Sequence, residues 1–419
     1  MTPEALAFVG TCDLAGMLRG KSFPLAELQG RMGRGVGVTP SNLLLSVFGP
    51  IYETPFGTRG ELMLIPDAVT QTAIPVPGAP DIQLLLGEFH ETNGAPWPHC
   101  PRRFLRRALD ALRAEFGLTL FSTFEQELVY TGVEAQAGSP YTLEALRRQG
   151  SFGGTLLTAM RQAGIAPDSF LSEYGPRQFE VTTGPVIGLA AADQAVLLRE
   201  LVRAVAHGLG ERAILAPMIT PDGTGNGTHI HWSLLDANGQ PATHDPAGQH
   251  GLSAAAEHMA AGMLHHLPAL AAITAPSVAS YYRLRPGRWA PTSADLGDCD
   301  RGSAVRVCPV YALGAESVAR QFNVEFRVAD AAASPYLALG AIVWAGLDGL
   351  RHCRRLGEQR PAPLPATLAE ALDHLQATPE AADWFGPLLD VYLLSKRAEI
   401  RALAGFDEAA ICDRYAAIY

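Results

Sequence analysis

Three short segments of this 419-residue chain place charged or imidazole side chains two residues apart inside otherwise apolar, β-prone stretches, and a fourth sets two glutamates on either side of a turn. A strand directs residues i and i+2 to one face, so each such pair projects together while its neighbours turn away. In Phe121–Tyr130, Glu125 and Glu127 share a face, and Phe124, Gln126, Leu128 and Tyr130 take the other. In Ser172–Val181, a Gly175-Pro176 turn lets Glu173 and Glu180 approach one point from either side. His229 and His231 share a face in Gly225–Ser233, behind a glycine-rich loop. Glu325 and Arg327 do so in Phe322–Asp330, opposite Val324, Phe326 and Val328. Singly, each pair also fits a solvated strand face or packed histidines. Together they supply glutamates and an imidazole, a donor set suited to Mg²⁺ or Mn²⁺, and carboxylates so placed repel unless cations neutralise them.

Arg283, Arg285, Arg288, Arg301 and Arg306 lie between the third and fourth segments. Guanidinium groups beside a metal-binding carboxylate cluster are what phosphoryl transfer needs, since they neutralise charge that the metals do not. No GxxxxGK[ST] occurs, which excludes a P-loop enzyme. The net charge of −10 speaks against a nucleic-acid partner. Arg102, Arg103, Arg106 and Arg107 on one helix read as a solvated face. Six scattered cysteines without CxxC spacing read as reduced, mostly buried thiols. The start, Met1-Thr-Pro-Glu-Ala, has no basic, then apolar, leader pattern, and the Tyr336–Leu347 stretch is too short to span a bilayer. No membrane partner is expected, and the expected setting is cytoplasmic.

Residues 1–100 are broken by Gly and Pro into short apolar runs at 43–48, 61–65 and 83–86, as in a small domain of several strands. The Asn93–Pro98 segment marks a boundary. A helix with Phe104, Leu105, Ala108, Leu109, Leu112 and Phe116 on one face follows it, and Gly117 can end that helix. From there strand candidates (118–130, 172–184, 228–235, 322–329) alternate with helix candidates (193–209, 252–271, 334–350). The pattern predicts an α+β fold, with a large domain over 101–419 whose curved, site-bearing sheet is covered outside by helices.

The order and spacing of these segments resemble the glutamine synthetase superfamily. Five stretches carry the likeness: Glu125-x-Glu127, Glu173-x4-Gln178-x-Glu180, Gly227-Thr-His229-x-His231-x-Ser233-Leu, Arg283-Leu-Arg-Pro-Gly-x-x-Ala-Pro291, and Glu325-x-Arg327 running on to Tyr336-Leu-Ala and Ala345-Gly-Leu-Asp-Gly349. They cover residues 101–350, and Gly16–Lys21 fits more loosely. The resemblance implies a β-grasp-like N-terminal domain and a large catalytic domain with a curved antiparallel sheet. It implies a first metal on Glu127, Glu173 and Glu180, and a second on Glu125, His229 and Glu325. His231 and Ser233 match nucleotide-contacting positions, and Arg301 and Arg306 match arginines on the ATP phosphates. Arg283 and Arg327 match arginines around glutamate and its acyl phosphate. Arg301, Glu325 and Arg327 are the implied catalytic set. Sites between subunits of stacked rings imply a ring-shaped homo-oligomer, with a dodecamer among its sizes.

Four departures matter. Where ammonia-using members carry a glutamate after Pro-Gly, Pro286-Gly-Arg-Trp-Ala-Pro291 has Trp289, and Val38–Asn42 lacks the small domain's ammonium-site acid. Tryptophan cannot accept hydrogen bonds from a small hydrated cation, but it can stack on an organic group. Thr224, beside Gly225, replaces an asparagine that touches the glutamate backbone, and Asn323 replaces an arginine. The resulting expectation is an ATP-dependent, Mg²⁺- or Mn²⁺-assisted ligase. It joins glutamate to an organic amine (an alkylamine, polyamine, amino alcohol or aromatic amine) through γ-glutamyl phosphate. An ammonia-using glutamine synthetase and a non-catalytic nucleotide- or amine-binding regulator are the alternatives.

Overall fold

Residues 6–91 pair into a six-stranded sheet. Its strands are β1 (Leu6–Cys12), β2 (Leu18–Pro24), β3 (Val36–Val38), β4 (Leu62–Pro66), β5 (Thr72–Ile74) and β6 (Ile82–Glu91). The order is β2-β1-β6-β4-β3, with β5 also on β6; β1 and β6 run parallel and the other pairs antiparallel. The apolar runs at 61–65 and 83–86 lie in β4 and β6, but the start of the 43–48 run closes the short 3₁₀ helix Pro40–Leu44. Pro40 opens that turn, where its fixed φ and missing N–H favour a helical start over a strand. The structure, a computed structural model, describes residues 3–136, 138–311, 315–357 and 361–419, so Met1 and Thr2 of the leader reading lie outside it.

The remaining strands form two sheets. One is the four-stranded antiparallel β12-β8-β10-β9: Ala213–Ile214, Gln126–Tyr130, Gln178–Thr183 and Pro167–Ser172. The other is β11-β7-β13-β16-β15-β14: Val186–Ile187, Thr119–Phe124, Ile230–Leu235, Val324–Phe326, Val305–Val307 and Leu296–Asp298. It is antiparallel except for β14 beside β15. The single strand expected over 118–130 is therefore two, because the chain passes from one sheet to the other at Glu125. There the Glu125 N–H donates to the His229 carbonyl at 2.9 Å and the Glu127 N–H to the Gly227 carbonyl at 3.2 Å. Similarly, 322–329 contributes only Val324–Phe326 to a strand.

Helices cover these sheets. Pro101–Phe116 buries Phe104, Leu105, Ala108 and Leu112 and ends at Gly117, whose φ of 67° a side chain would oppose. Leu189–Gly208 and the almost wholly buried Pro335–Arg351 stand where expected. The helix expected over 252–271 is two, Ala254–His265 and Leu267–Thr274, because Pro268 cannot donate to a continuing ladder. Among the described residues no helix is long and apolar enough to cross a membrane.

The reading of Arg102 as solvated is wrong. Its side chain is 1% exposed and donates to Asp193 at 2.9 and 2.8 Å, to Asp67 at 2.9 Å and to Glu88 at 3.2 Å, while Arg106 reaches Glu88 at 2.5 Å. Asp67 and Glu88 belong to the N-terminal part, so this buried cluster joins it to the helices. Periodicity places Arg102 on the helix but cannot show that distant acids close over it. Removing one partner of a buried, hydrogen-bonded ion pair strands the others, so Arg102→Ala should lower the unfolding free energy by about 3–5 kcal/mol. Denaturant titration showing a loss below about 1 kcal/mol would contradict the clamp.

Candidate active site

All four segments meet in one cavity of about 930 Å³. Strand pairing does the positioning. Glu127 of β8 lies directly across from Glu180 of β10, and Glu325 of β16 lies between His231 of β13 and Arg306 of β15. The alternate residues Gln126, Leu128, Val324 and Phe326 are buried behind them. Gly175 and Pro176 turn the chain so that Glu173, whose N–H donates to the Gln178 carbonyl at 2.9 Å, faces the same space.

Carboxylate and imidazole atoms of Glu125, Glu180 and His229 lie within 4.8 Å of one another, as do those of Glu125, His231 and Glu325. His229 Nδ1 is 3.0 Å from Glu125 and 3.4 Å from Glu325, and His231 Nε2 is 3.0 Å from the other Glu125 oxygen. Glu127 and Glu173, which the resemblance groups with Glu180, line the same cavity but stand outside both groups. Glu127 accepts from the Gly227 N–H at 2.8 Å and from Gln178 at 3.2 Å. Glu173 accepts from the Tyr141 hydroxyl at 2.8 Å. The oxygen-rich donor set with imidazoles fits a divalent cation of the Mg²⁺ or Mn²⁺ kind.

Charge crowding is visible in the protonation of these groups. Burial, reinforced by Glu125, Glu127, Glu173 and Glu325, pushes the Glu180 carboxyl up to about 10. Burial chiefly raises Glu173 as well. Burial would also raise Glu125, but the His231 and His229 imidazoles outweigh it and hold that carboxyl well below the usual range. Glu325 is likewise held down against its burial, by His229, His231 and Arg327. Arg306 donates to Glu325 at 2.8 Å, and Arg327 grips its other oxygen.

The arginine-rich stretch supplies the cationic wall. Arg283 and Arg306 are buried, and among the described residues the Nε of each has no hydrogen-bond partner although both side chains line the cavity. Arg301 is exposed at the rim, and its carbonyl accepts from Arg327 Nε at 3.0 Å. Thr224 and Gly225 line the cavity near Arg283. Ser233 does not line it: β13 carries Ser233 past the cavity, where it pairs with Phe121.

Trp289 is 68% exposed at the cavity's edge, with its backbone at φ 56°. Its ring stacks on Tyr174, centroids 5.7 Å apart and planes 13° from parallel, and Tyr141 meets Tyr174 edge-on at 5.3 Å. The sequence reading missed Tyr141, Tyr174 and Cys308 as cavity residues. Tyr174 adjoins Glu173 in a quoted motif and could have been found, whereas Tyr141 sits in a turn-rich stretch without periodicity.

The glutamine synthetase catalytic domain matches residues 98–415, and the glutamine synthetase N-terminal domain matches residues 3–97. The chain belongs to the glutamine synthetase family and is a carbon–nitrogen ligase. It is 33% identical to a gamma-glutamylpolyamine synthetase of Streptomyces coelicolor, over 98% of this chain and 92% of that protein. It is 26% identical to a gamma-glutamylanilide synthase of Acinetobacter, over 92% and 85% of the two chains. Among solved structures, a "novel glutamine synthase homolog" matches with a TM-score of 0.95 and 41% identity, covering 100% of this chain and 99% of that one. A GmaS–ADP complex matches with a TM-score of 0.84 and 26% identity over 96% and 94%.

A carboxyl raised in the folded state contributes stability that is full below its unfolded pKa and is lost as pH rises through the folded one. For Glu180 that window runs from 4.5 to about 10. Metal-free protein should therefore melt at progressively lower temperature from pH 5 to pH 9. Glu180→Gln should flatten the fall, and Mn²⁺ should raise the wild-type Tm more at pH 8 than at pH 5. Calorimetry showing parallel wild-type and variant pH profiles would contradict the crowding.

Proposed function

We propose that this chain joins glutamate to an organic amine, using ATP to activate the γ-carboxylate. The observation that carries the choice of acceptor is Trp289 stacked on Tyr174 at the cavity edge, at the position where ammonia-using relatives of this fold need an acid. The gamma-glutamylpolyamine synthetase and gamma-glutamylanilide synthase relatives support the same reading. When bound, ATP would supply the phosphoryl group and two divalent cations the positive charge that offsets it.

The chain's own groups supply the remainder. Glu127, Glu173 and Glu180 are assigned to one cation, and Glu125, His229 and Glu325 to the other. Arg301 and Arg306 would meet the nucleotide phosphates, with His231 toward the nucleoside. Arg283 and Arg327 neutralise the glutamate γ-carboxylate and then the acyl phosphate, and Thr224 and Gly225 meet the amino-acid end. The unpartnered Nε groups of Arg283 and Arg306 suit an anionic substrate, because a buried donor left unpaired costs about 1–3 kcal/mol. Activation makes a poor electrophile reactive, and attack by a neutral amine then releases phosphate. The aromatic rim offers flat apolar surface on which the amine's organic part can stack. The division into 1–100 and 101–419, the cytoplasmic setting and a ring-shaped homo-oligomer belong to the same reading. Light scattering that finds a fully active monomer would remove the ring.

The acceptor is tested by measuring glutamate-dependent ADP release across amines. At least one organic amine should exceed ammonium in kcat/KM by tenfold or more, about 1.4 kcal/mol in transition-state binding. Trp289→Glu should narrow that gap, and Trp289→Ala should raise KM for the preferred amine more than for ammonium. Glutamine formation from ammonium that outpaces every γ-glutamylamide would replace this reading with the ammonia enzyme.

A further inference from the structure

Residues 284–291 carry Trp289 but belong to no helix or strand, so no backbone ladder fixes where the indole stands. Side chains fix it instead, from both sides of the Pro286-Gly287 turn, in which Gly287 adopts φ 81°. On the far side Arg288 grips the Pro221 and Gly223 carbonyls. On the near side Arg285 reaches Glu408, 123 residues further along the chain. Nη1 donates to one carboxylate oxygen at 2.9 Å and Nη2 to the other at 2.5 Å. The guanidinium also lies over the Tyr282 ring, 4.6 Å from its centroid. A two-point pair of this kind fixes direction as well as distance, which a single charge contact does not.

Glu408 is itself firmly placed. It opens the helix Glu408–Ala416, which Asp407 caps by accepting from the Ala410 N–H at 2.8 Å, and the helix dipole favours an acid in that first turn. Cys412 and Tyr415 of this helix share one buried apolar cluster with Ala279 and Tyr282. The Tyr415 hydroxyl accepts from the Val278 N–H at 3.3 Å and donates to Glu399 at 2.5 Å. Segment 278–285 thus rests on the C-terminal helix at its start, through Tyr415, and at its end, through Glu408. Arg283, within that segment, is held separately by the Val328 and Ala329 carbonyls. The Glu408 contact therefore bears on the loop beyond it rather than on the charged wall.

We propose that Glu408 is a positioning residue for the choice of acceptor. Through Arg285 it fixes the entry of the loop, as Arg288 fixes the far side, and so sets Trp289 against Tyr174 at the cavity mouth. The role rests on the reading of that mouth as the acceptor's entrance, and neither Arg285 nor Glu408 lines the cavity. Because the pair is half-exposed, salt weakens it, and acceptor selectivity therefore depends on ionic strength.

The test measures KM and kcat for the preferred organic amine, ammonium, glutamate and ATP in full-length protein carrying Glu408→Gln, Arg285→Ala, or both. Each single change should raise KM for the organic amine about three- to fivefold and move KM for ATP and glutamate by less than about twofold. The double variant should be no worse than either single one, as a coupled pair requires. The reversed pair, Arg285→Glu with Glu408→Arg, should recover selectivity. High salt should raise the wild-type KM for the amine and leave that of Glu408→Gln unchanged. Folded single variants with wild-type KM for the organic amine would overturn the proposal, as would equal rises for amine and ATP. A wild-type enzyme that prefers ammonium to every organic amine is a different result: it removes the acceptor reading, and the selectivity role with it.

Discussion

Mutual repulsion of Glu125, Glu127, Glu173, Glu180 and Glu325 is the constraint on which this molecule is built. Such a concentration of carboxylates persists only because backbone ladders leave them nowhere else to go. Glu127 and Glu180 are locked side by side by strand register, and Glu325 is held between β13 and β15. The chain tolerates the arrangement by protonating Glu180, by placing imidazoles against Glu125, and by giving Glu325 two arginines. Each of these measures offsets the repulsion, and the oxygen-rich donor set that remains suits a divalent cation. The helices bury the opposite strand faces and so fix the carboxylates from behind.

Much of the site was legible because period two is a strong signal when ionisable residues follow it. Glu125 and Glu127, His229 and His231, and Glu325 and Arg327 needed only the pleat to be placed together, and their apolar alternates Leu128, Val324 and Phe326 are buried as that pleat requires. What the pattern could not carry was partnership across long separations. Arg102 reads as one more cation on a helix until Asp67, Glu88 and Asp193 close on it from elsewhere in the chain. Nor could it show where a strand changes sheets: nothing in the run around Glu125 marks the point at which hydrogen bonding passes to the 227–229 segment. Ser233 failed for a related reason, since sharing a face with His231 does not mean sharing the cavity when the strand runs on past it.

The family match explains the platform, and the departures explain what is particular to this chain. The carboxylates, His229, Arg306 and Arg327 sit on strands or immediately beside them, and Arg283 closes the short helix Ser280–Arg283. Trp289 and Tyr141, by contrast, occupy left-handed backbone at φ 56° in irregular segments, a conformation that costs a non-glycine residue about 1–3 kcal/mol. Among the described residues that line the cavity, left-handed non-glycine backbone therefore falls at the aromatic rim and not at the carboxylates.

The loop that presents Trp289 is pinned by its neighbour. Arg288 donates to the Gly223 carbonyl at 2.5 Å and the Pro221 carbonyl at 2.8 Å, so the loop's place is set by a residue that is not the indole itself. Replacing the indole therefore alters the mouth of the cavity while leaving its anchor, its floor and its charges in place. Such a molecule is modular in the engineering sense. A lineage could reshape the mouth by editing a single projecting side chain, with the charged floor beneath it left unchanged.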